Sequence, residues 1–170
     1  MNFAVNAVTI EIDGLSLSIA QVAAVAERAV PVSLADSARA RMAATRRVVD
    51  DIVARNAVVY GVTTGFGKLS EVAIPLDKLA ELQVNLVRSH AAGVGPLLPK
   101  REVRAMMLLR ANVIAKGFSG ARADVPALLS AMLNADLWPD VPEQGSVGRA
   151  TAFQQHALDP QLTIQGLQRR

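Results

Sequence analysis

Tyr60 is the only tyrosine in the chain. It opens a run unusually rich in glycine: Tyr60-Gly61-Val62-Thr63-Thr64-Gly65-Phe66-Gly67-Lys68. A phenol can serve as a general base or acid when its surroundings bring its pKa down from about 10. Three glycines in seven residues, beside two threonines, exclude a stable helix. They describe a loop that needs unusual dihedrals or a close approach to something. A tight connection between packed helices would use the same glycines. The run is not a phosphate cradle. Counted back from Gly67-Lys68, the first glycine of Gly-x-x-x-x-Gly-Lys-Ser/Thr falls on Val62, and Leu69 offers magnesium no hydroxyl.

His90 is the second candidate. It falls in register with Leu79, Leu82 and Leu86 at helical spacing, so it faces inward. It either bonds a backbone carbonyl as a core histidine or points into a cavity and binds a polar substrate. His156 lies in an atypical tail and is assigned no role. Two histidines and no cysteine leave no protein-only zinc site, no disulfide and no thiol nucleophile. Asp50 and Asp51 belong to the solvated side of a helix and read as surface charges.

The elements that must position Tyr60 and His90 follow from periodicity. Val8–Ile12 alternates and runs into Asp13-Gly14, which predicts a strand and a tight turn, with Leu15–Leu17 as the returning strand of a small hairpin. Ser18-Ile19-Ala20-Gln21 is a capping box, and a helix should follow to about Ala29, ahead of Pro31. Ser33 is the N-cap expected for a second helix, with Asp36 in its first turn. Ala38, Met42, Thr45, Val49 and Ile52 give that helix an apolar face ending near Asn56. Pro75 should open a third helix, stopped by Gly93 and Gly95-Pro96. A fourth is expected over Lys100–Lys116 with Gly117 as its stop, and a fifth over Asp124–Leu137. Two prolines force Trp138–Pro142 extended, and Glu143–Gly148 reads as another glycine loop.

The chain has 170 residues, 51% apolar and only 4% aromatic. Ala, Val and Leu dominate, which favours helices over an aromatic-rich sandwich. The net charge of +3 does not describe a nucleic-acid surface. Residues 1–148 contribute only +1, and Arg149, Arg169 and Arg170 against Asp159 supply the rest. Neither a signal peptide nor a membrane span is present, so a cytoplasmic protein is expected. After Gly148 valine disappears and glutamine becomes frequent. This sets a boundary between residues 1–148 and a tail, 149–170.

The blocks Val59–Leu69, Leu82–Gly95, Val103–Asn112, Lys116–Gly120 and Val141–Gly148 resemble, in order, those of the aromatic amino-acid ammonia-lyases. Ser89-His90 resembles the histidine branch. The resemblance implies a mainly α fold, the helical N-terminal part of an ammonia-lyase, over roughly Val8–Gly148. It implies elimination of ammonia from L-histidine to give urocanate, with a methylidene-imidazolone electrophile (MIO) built from an internal Ala-Ser-Gly. Carried over, Tyr60 is the base that takes the β-proton and His90 contacts the substrate side chain. Gly61, Gly65, Phe66 and Gly67 belong to the loop that covers the site. The family assembles as homotetramers.

At the electrophile the sequence departs. Where the family continues Ala-Ser-Gly-Asp-Leu, this chain has Arg149-Ala150-Thr151-Ala152-Phe153. Arg-Ala-Thr lacks the glycine whose nitrogen closes the ring. The resemblance therefore implies a chain with no cofactor of its own, inactive alone, from a truncated or frameshifted gene. A splice form or an evolved association partner of full-length members fits the same break. Apolar helix faces from Lys100 to Leu137 predict self-association.

Overall fold

A computed structural model describes residues 9–28, 30–60, 62–64, 74–78, 81, 82, 84, 85, 88 and 93–145. Strand β1 (Ile10–Ile12) is followed by helix α1 (Ile19–Arg28), strand β2 (Val32–Leu34) and helix α2 (Asp36–Ala54). A 3-10 turn covers Leu76–Lys78, and residues 81, 82, 84, 85 and 88 are helical. Strand β3 (Val94–Leu97), helix α3 (Lys100–Ala115), helix α4 (Asp124–Asn134) and strand β4 (Pro142–Gln144) complete the described order. The structure is mainly helical, as the composition predicts.

The N-terminal hairpin is not formed. β1 pairs in parallel with β2, Ile10 opposite Val32 and Ile12 opposite Leu34, and α1 is the crossover between them. Ile10 and Ile12 are buried while Glu11 is exposed, so the alternation was real and only its partner differs. Asp13 and Gly14 make a turn that leads into the helix. The Asp13 carboxylate accepts from the N–H groups of Leu15 and Ser16, both at 2.8 Å. Gly14 takes φ +83, and a Cβ there would lie 2.6 Å from the Lys116 nitrogen, so only glycine lets this turn rest on the end of α3. The Gly14 N–H donates to Asn112 Oδ1 on α3 (3.0 Å).

The capping box on α1 is formed in both directions: Ser18 N–H to Gln21 Oε1 (2.8 Å) and Gln21 N–H to Ser18 Oγ (3.3 Å). Ser33 does not cap α2. It sits within β2, and Ala35 holds the cap position without a side-chain bond. The free edge of β2 is closed by a side chain: Asn134 accepts from the Val32 N–H (2.8 Å) and donates to the Val32 carbonyl (2.9 Å), acting as a third strand one residue long. α4 ends three residues earlier than expected, at Asn134, and Asp136 then turns the chain at φ +56.

α3 is the central helix, packed against α1, α2, α4 and β1. Val103, Met107, Leu108, Ala111 and Ala115 are buried along it, against Val25 of α1, Ile12 of β1, Leu133 of α4 and Val141. Burying each large side chain contributes about 1.5–3 kcal/mol. Among them lies a charge. Arg104 is 1% exposed and donates to Val25 O through Nε (3.1 Å) and Nη2 (3.0 Å). Its Nη1 donates to Leu133 O (3.1 Å) and to Asp136 Oδ1 (3.0 Å). One guanidinium thus bonds a last-turn carbonyl of α1 and one of α4, where intrahelical partners run out, and Leu133 O also accepts from the Asp136 N–H (3.2 Å).

Candidate active site

Tyr60 follows the C-terminus of α2, after Asn56 has turned the chain at φ +52. It is 64% exposed, and the turn carrying it is closed from beneath. The Val62 and Thr63 N–H groups both donate to Val59 O, at 3.1 and 3.0 Å. The Thr63 hydroxyl accepts from the Val59 N–H (2.9 Å) and donates to Ala57 O (2.5 Å). Thr63 and Thr64 are buried, and the Thr63 carbonyl accepts from the Ile74 N–H (2.9 Å). The loop expected from the glycine run is therefore anchored at one end by hydrogen bonds around Tyr60. Gly61, Gly65, Phe66, Gly67 and His90 lie outside the described residues.

Ile74 also lines an open depression of about 250 Å³, together with Lys78, Glu81, Leu82 and Asn85. Leu82 and Asn85 come from the block that carries His90. Ile74 thus joins the wall of this depression to the turn that carries Tyr60. Leu82 is half-buried, and Glu81, Val84, Asn85 and Arg88 are exposed. Lys78 pairs with Glu81 at 3.1 Å.

The glycine loop expected at Glu143–Gly148 begins instead as β4. It runs antiparallel to β3, with Val94 opposite Gln144 and Leu97 opposite Pro142. The Leu98 N–H extends the pairing to Val141 O (2.8 Å). Val94 lies four positions after His90, and Gln144 five positions before Arg149. The ribbon therefore brings the segment after His90 beside the segment that leads to the divergent Arg149-Ala150-Thr151. Sequence reading missed this pairing, because Gly95-Pro96 in β3 and Pro142 at the start of β4 are turn signals. Asp50 behaves as expected of a surface charge, paired with Arg46 at 2.5 Å and 57% exposed. Among the described residues no cluster of three or more His, Asp or Glu could hold a metal ion, and no helix is long and apolar enough to cross a membrane.

Residues 17–154 match the family model for the aromatic amino acid lyases. The chain belongs to the aromatic amino-acid lyase family. The histidine ammonia-lyase of Stigmatella aurantiaca is 50% identical over 139 residues, which is 82% of this chain and 27% of that enzyme. Among solved structures, the tyrosine aminomutase of Streptomyces globisporus is 35% identical with a TM-score of 0.84, covering 96% of this chain and 33% of that one. The histidine ammonia-lyase of Trypanosoma cruzi is 37% identical with a TM-score of 0.77, covering 86% and 28%. This lyase-family chain therefore spans about a quarter of the length of the curated relative. Family membership and the mainly helical fold read from the five sequence blocks are both upheld.

Proposed function

We propose that these residues form the base-bearing side of a histidine ammonia-lyase site, with Tyr60 as the β-proton base and His90 as the contact to the substrate side chain. The observation that carries the reading is the Val59–Leu69 block, with Tyr60 on a closed turn, in a chain half identical to a histidine ammonia-lyase. The Ser89-His90 pair favours histidine over tyrosine, the amino acid named for the aminomutase neighbour. A cytoplasmic location and the tetramer of the family belong to the same proposal.

The electrophile does not fit this chain. MIO forms from contiguous Ala-Ser-Gly, and the sequence holds no such triplet. Its one Ser-Gly pair, Ser119-Gly120, follows Phe118. Gly120 is packed against α2, where its carbonyl accepts from Arg46 Nη1 (3.4 Å). These residues can hold a substrate and receive a proton, but they supply no group that activates the amine. Positioned acid–base catalysis contributes about 10²–10⁴-fold, too little for an unactivated β-proton.

Two measurements test this. The purified chain, free of host lyase, should form no urocanate from histidine. Residues 1–148 joined to the remaining length of the Stigmatella enzyme should form it, and Tyr60→Phe in that chimera should lower turnover at least about 10²-fold. An active isolated chain, or a fully active Tyr60→Phe chimera, contradicts the proposal. A non-catalytic role in association is the second reading. It is favoured by Leu109, Val113 and Phe118, which are 46%, 53% and 87% exposed.

A further inference from the structure

We infer that Thr63 is a positioning residue for Tyr60. The inference rests on the reading of Tyr60 as the base and adds what holds the base in place. Thr63 is 3% exposed and commits every polar group it has. Its N–H donates to Val59 O, and its hydroxyl joins the Val59 N–H to Ala57 O. Its carbonyl accepts from the Ile74 N–H. Two of these bonds reach back across Tyr60 to Val59 and one to Ala57, so the tyrosine backbone is enclosed by contacts from a single residue. The fourth ties the same residue to Ile74, on the wall of the depression lined by Leu82 and Asn85. Thr63 therefore fixes two things at once: the direction in which the phenol leaves the turn, and the distance between that turn and the depression.

The chemistry of the side chain is specific. A hydroxyl can accept from one backbone group and donate to another, and Val59 and Ala57 use both capacities. Valine has the same shape and neither capacity, and it would leave a buried N–H without its partner. Serine keeps both. A mispositioned base matters because proton transfer needs the acceptor within hydrogen-bond reach of the proton.

The single tyrosine makes the test direct. The full chain is labelled with 3-fluorotyrosine, which reports only Tyr60, and with ¹⁵N. Thr63→Ser is expected to keep the ¹⁹F resonance of the parent. Thr63→Val is expected to shift or broaden it and to raise Val59 amide exchange about tenfold or more. Ser130→Ala, which removes a buried hydroxyl bond to Pro126 within α4, serves as the control for a general loss of stability and should leave the resonance unchanged. A folded Thr63→Val protein with the parental resonance and a protected Val59 amide overturns the inference, as does Thr63→Ser behaving like Thr63→Val. If Thr63→Val does not fold, the parent decides: a slowly exchanging Val59 amide supports the inference and a freely exchanging one overturns it. None of these readouts uses activity, so failure here leaves Tyr60 standing as the base. A fully active Tyr60→Phe chimera would remove the base and leave the positioning intact.

Discussion

Arg104 shows how much one residue can carry. Its guanidinium makes four hydrogen bonds to three groups on two other elements and the α4 turn, at 1% exposure. Removing it deletes its bonds to the Val25 and Leu133 carbonyls, leaves Leu133 O with only the Asp136 N–H (3.2 Å), and opens a cavity beneath α3. Arg104→Ala should therefore lower stability by about 3–5 kcal/mol in urea unfolding. Asp136→Asn should cost far less, about 1 kcal/mol or under, because that carboxylate is 49% exposed and its other partner, Lys100, is a surface group. Equal losses from the two variants would show that the ion pair, not carbonyl satisfaction, is what matters. Asp13 makes an opposite, exposed case. The Ser16 N–H, followed by that of Leu15, holds its carboxyl down from 3.8 to about 2. A depressed carboxylate stabilises the fold above its unfolded pKa and loses that contribution as pH falls through the folded value. The thermal midpoint of the parent should accordingly drop between about pH 4 and pH 2 by more than that of Asp13→Asn. Parallel acid limbs would contradict this.

At the scale of elements, the ribbon of β3 and β4 is short and has β3 exposed along its length, so it depends on close backbone approach. Gly93 supplies that approach. A Cβ there would stand 2.7 Å from Pro142 Cγ, in a ring that cannot swing away. Gly93→Ala should separate the strands, seen as loss of the cross-strand NOEs between Val94 and Gln144 while the helical circular dichroism persists. Retained NOEs would mean that Pro142 can yield. The elements also show where local sequence was sufficient. The α1 capping box and the phase of α2 were readable because helix signals are local: Ala38 and Met42 are buried, and Arg39 and Arg47 are exposed. The β pairings were not readable. Asp13-Gly14 is a hairpin signal in isolation, but Ile10 and Ile12 found a better apolar partner in Val32 and Leu34 across a helix. Ser33 before Asp36 imitates an N-cap, while the alternation of Val32, Ser33 and Leu34 is a strand three residues long, too short to outweigh the cap signal. Tyr60 stands out as a candidate in the sequence because a lone tyrosine beside clustered glycines is unusual. Thr63 was quoted within the same run and given no role, since nothing in a sequence shows which hydroxyl closes a turn.

For the whole molecule, the decisive feature is that α3 carries apolar residues on its outer face as well as its inner one, beside Arg101, Glu102 and Arg110. One face meets α1, α2, α4 and β1. The outer face presents half-buried Ala105 and Met106, then Leu109 and Val113 at 46% and 53% exposure, with Phe118 beyond the helix end at 87%. An exposed apolar stripe of this kind tends to seek cover. Magnitudes fix how strongly it should seek cover. A patch of a few hundred Å² on each of two copies buries less than about 1,000 Å² in total, below the roughly 1,200–2,000 Å² of stable specific complexes. At about 25 cal/mol per Å² the gross gain stays below about 25 kcal/mol, from which lost rigid-body freedom removes about 4–15 and side-chain ordering and polar desolvation remove more. Association of the isolated chain should therefore be concentration-dependent and weak, not a tight oligomer. Sedimentation equilibrium is expected to show an average mass that rises from the monomer value as protein concentration increases. The double substitution Leu109→Lys and Val113→Lys places two like charges on the outer face and should hold the chain monomeric across the same range with its helical signal intact. A tight oligomer that survives dilution would require a larger interface than this face provides. A parent that stays monomeric at the highest concentration would show that α3 tolerates its exposed stripe alone.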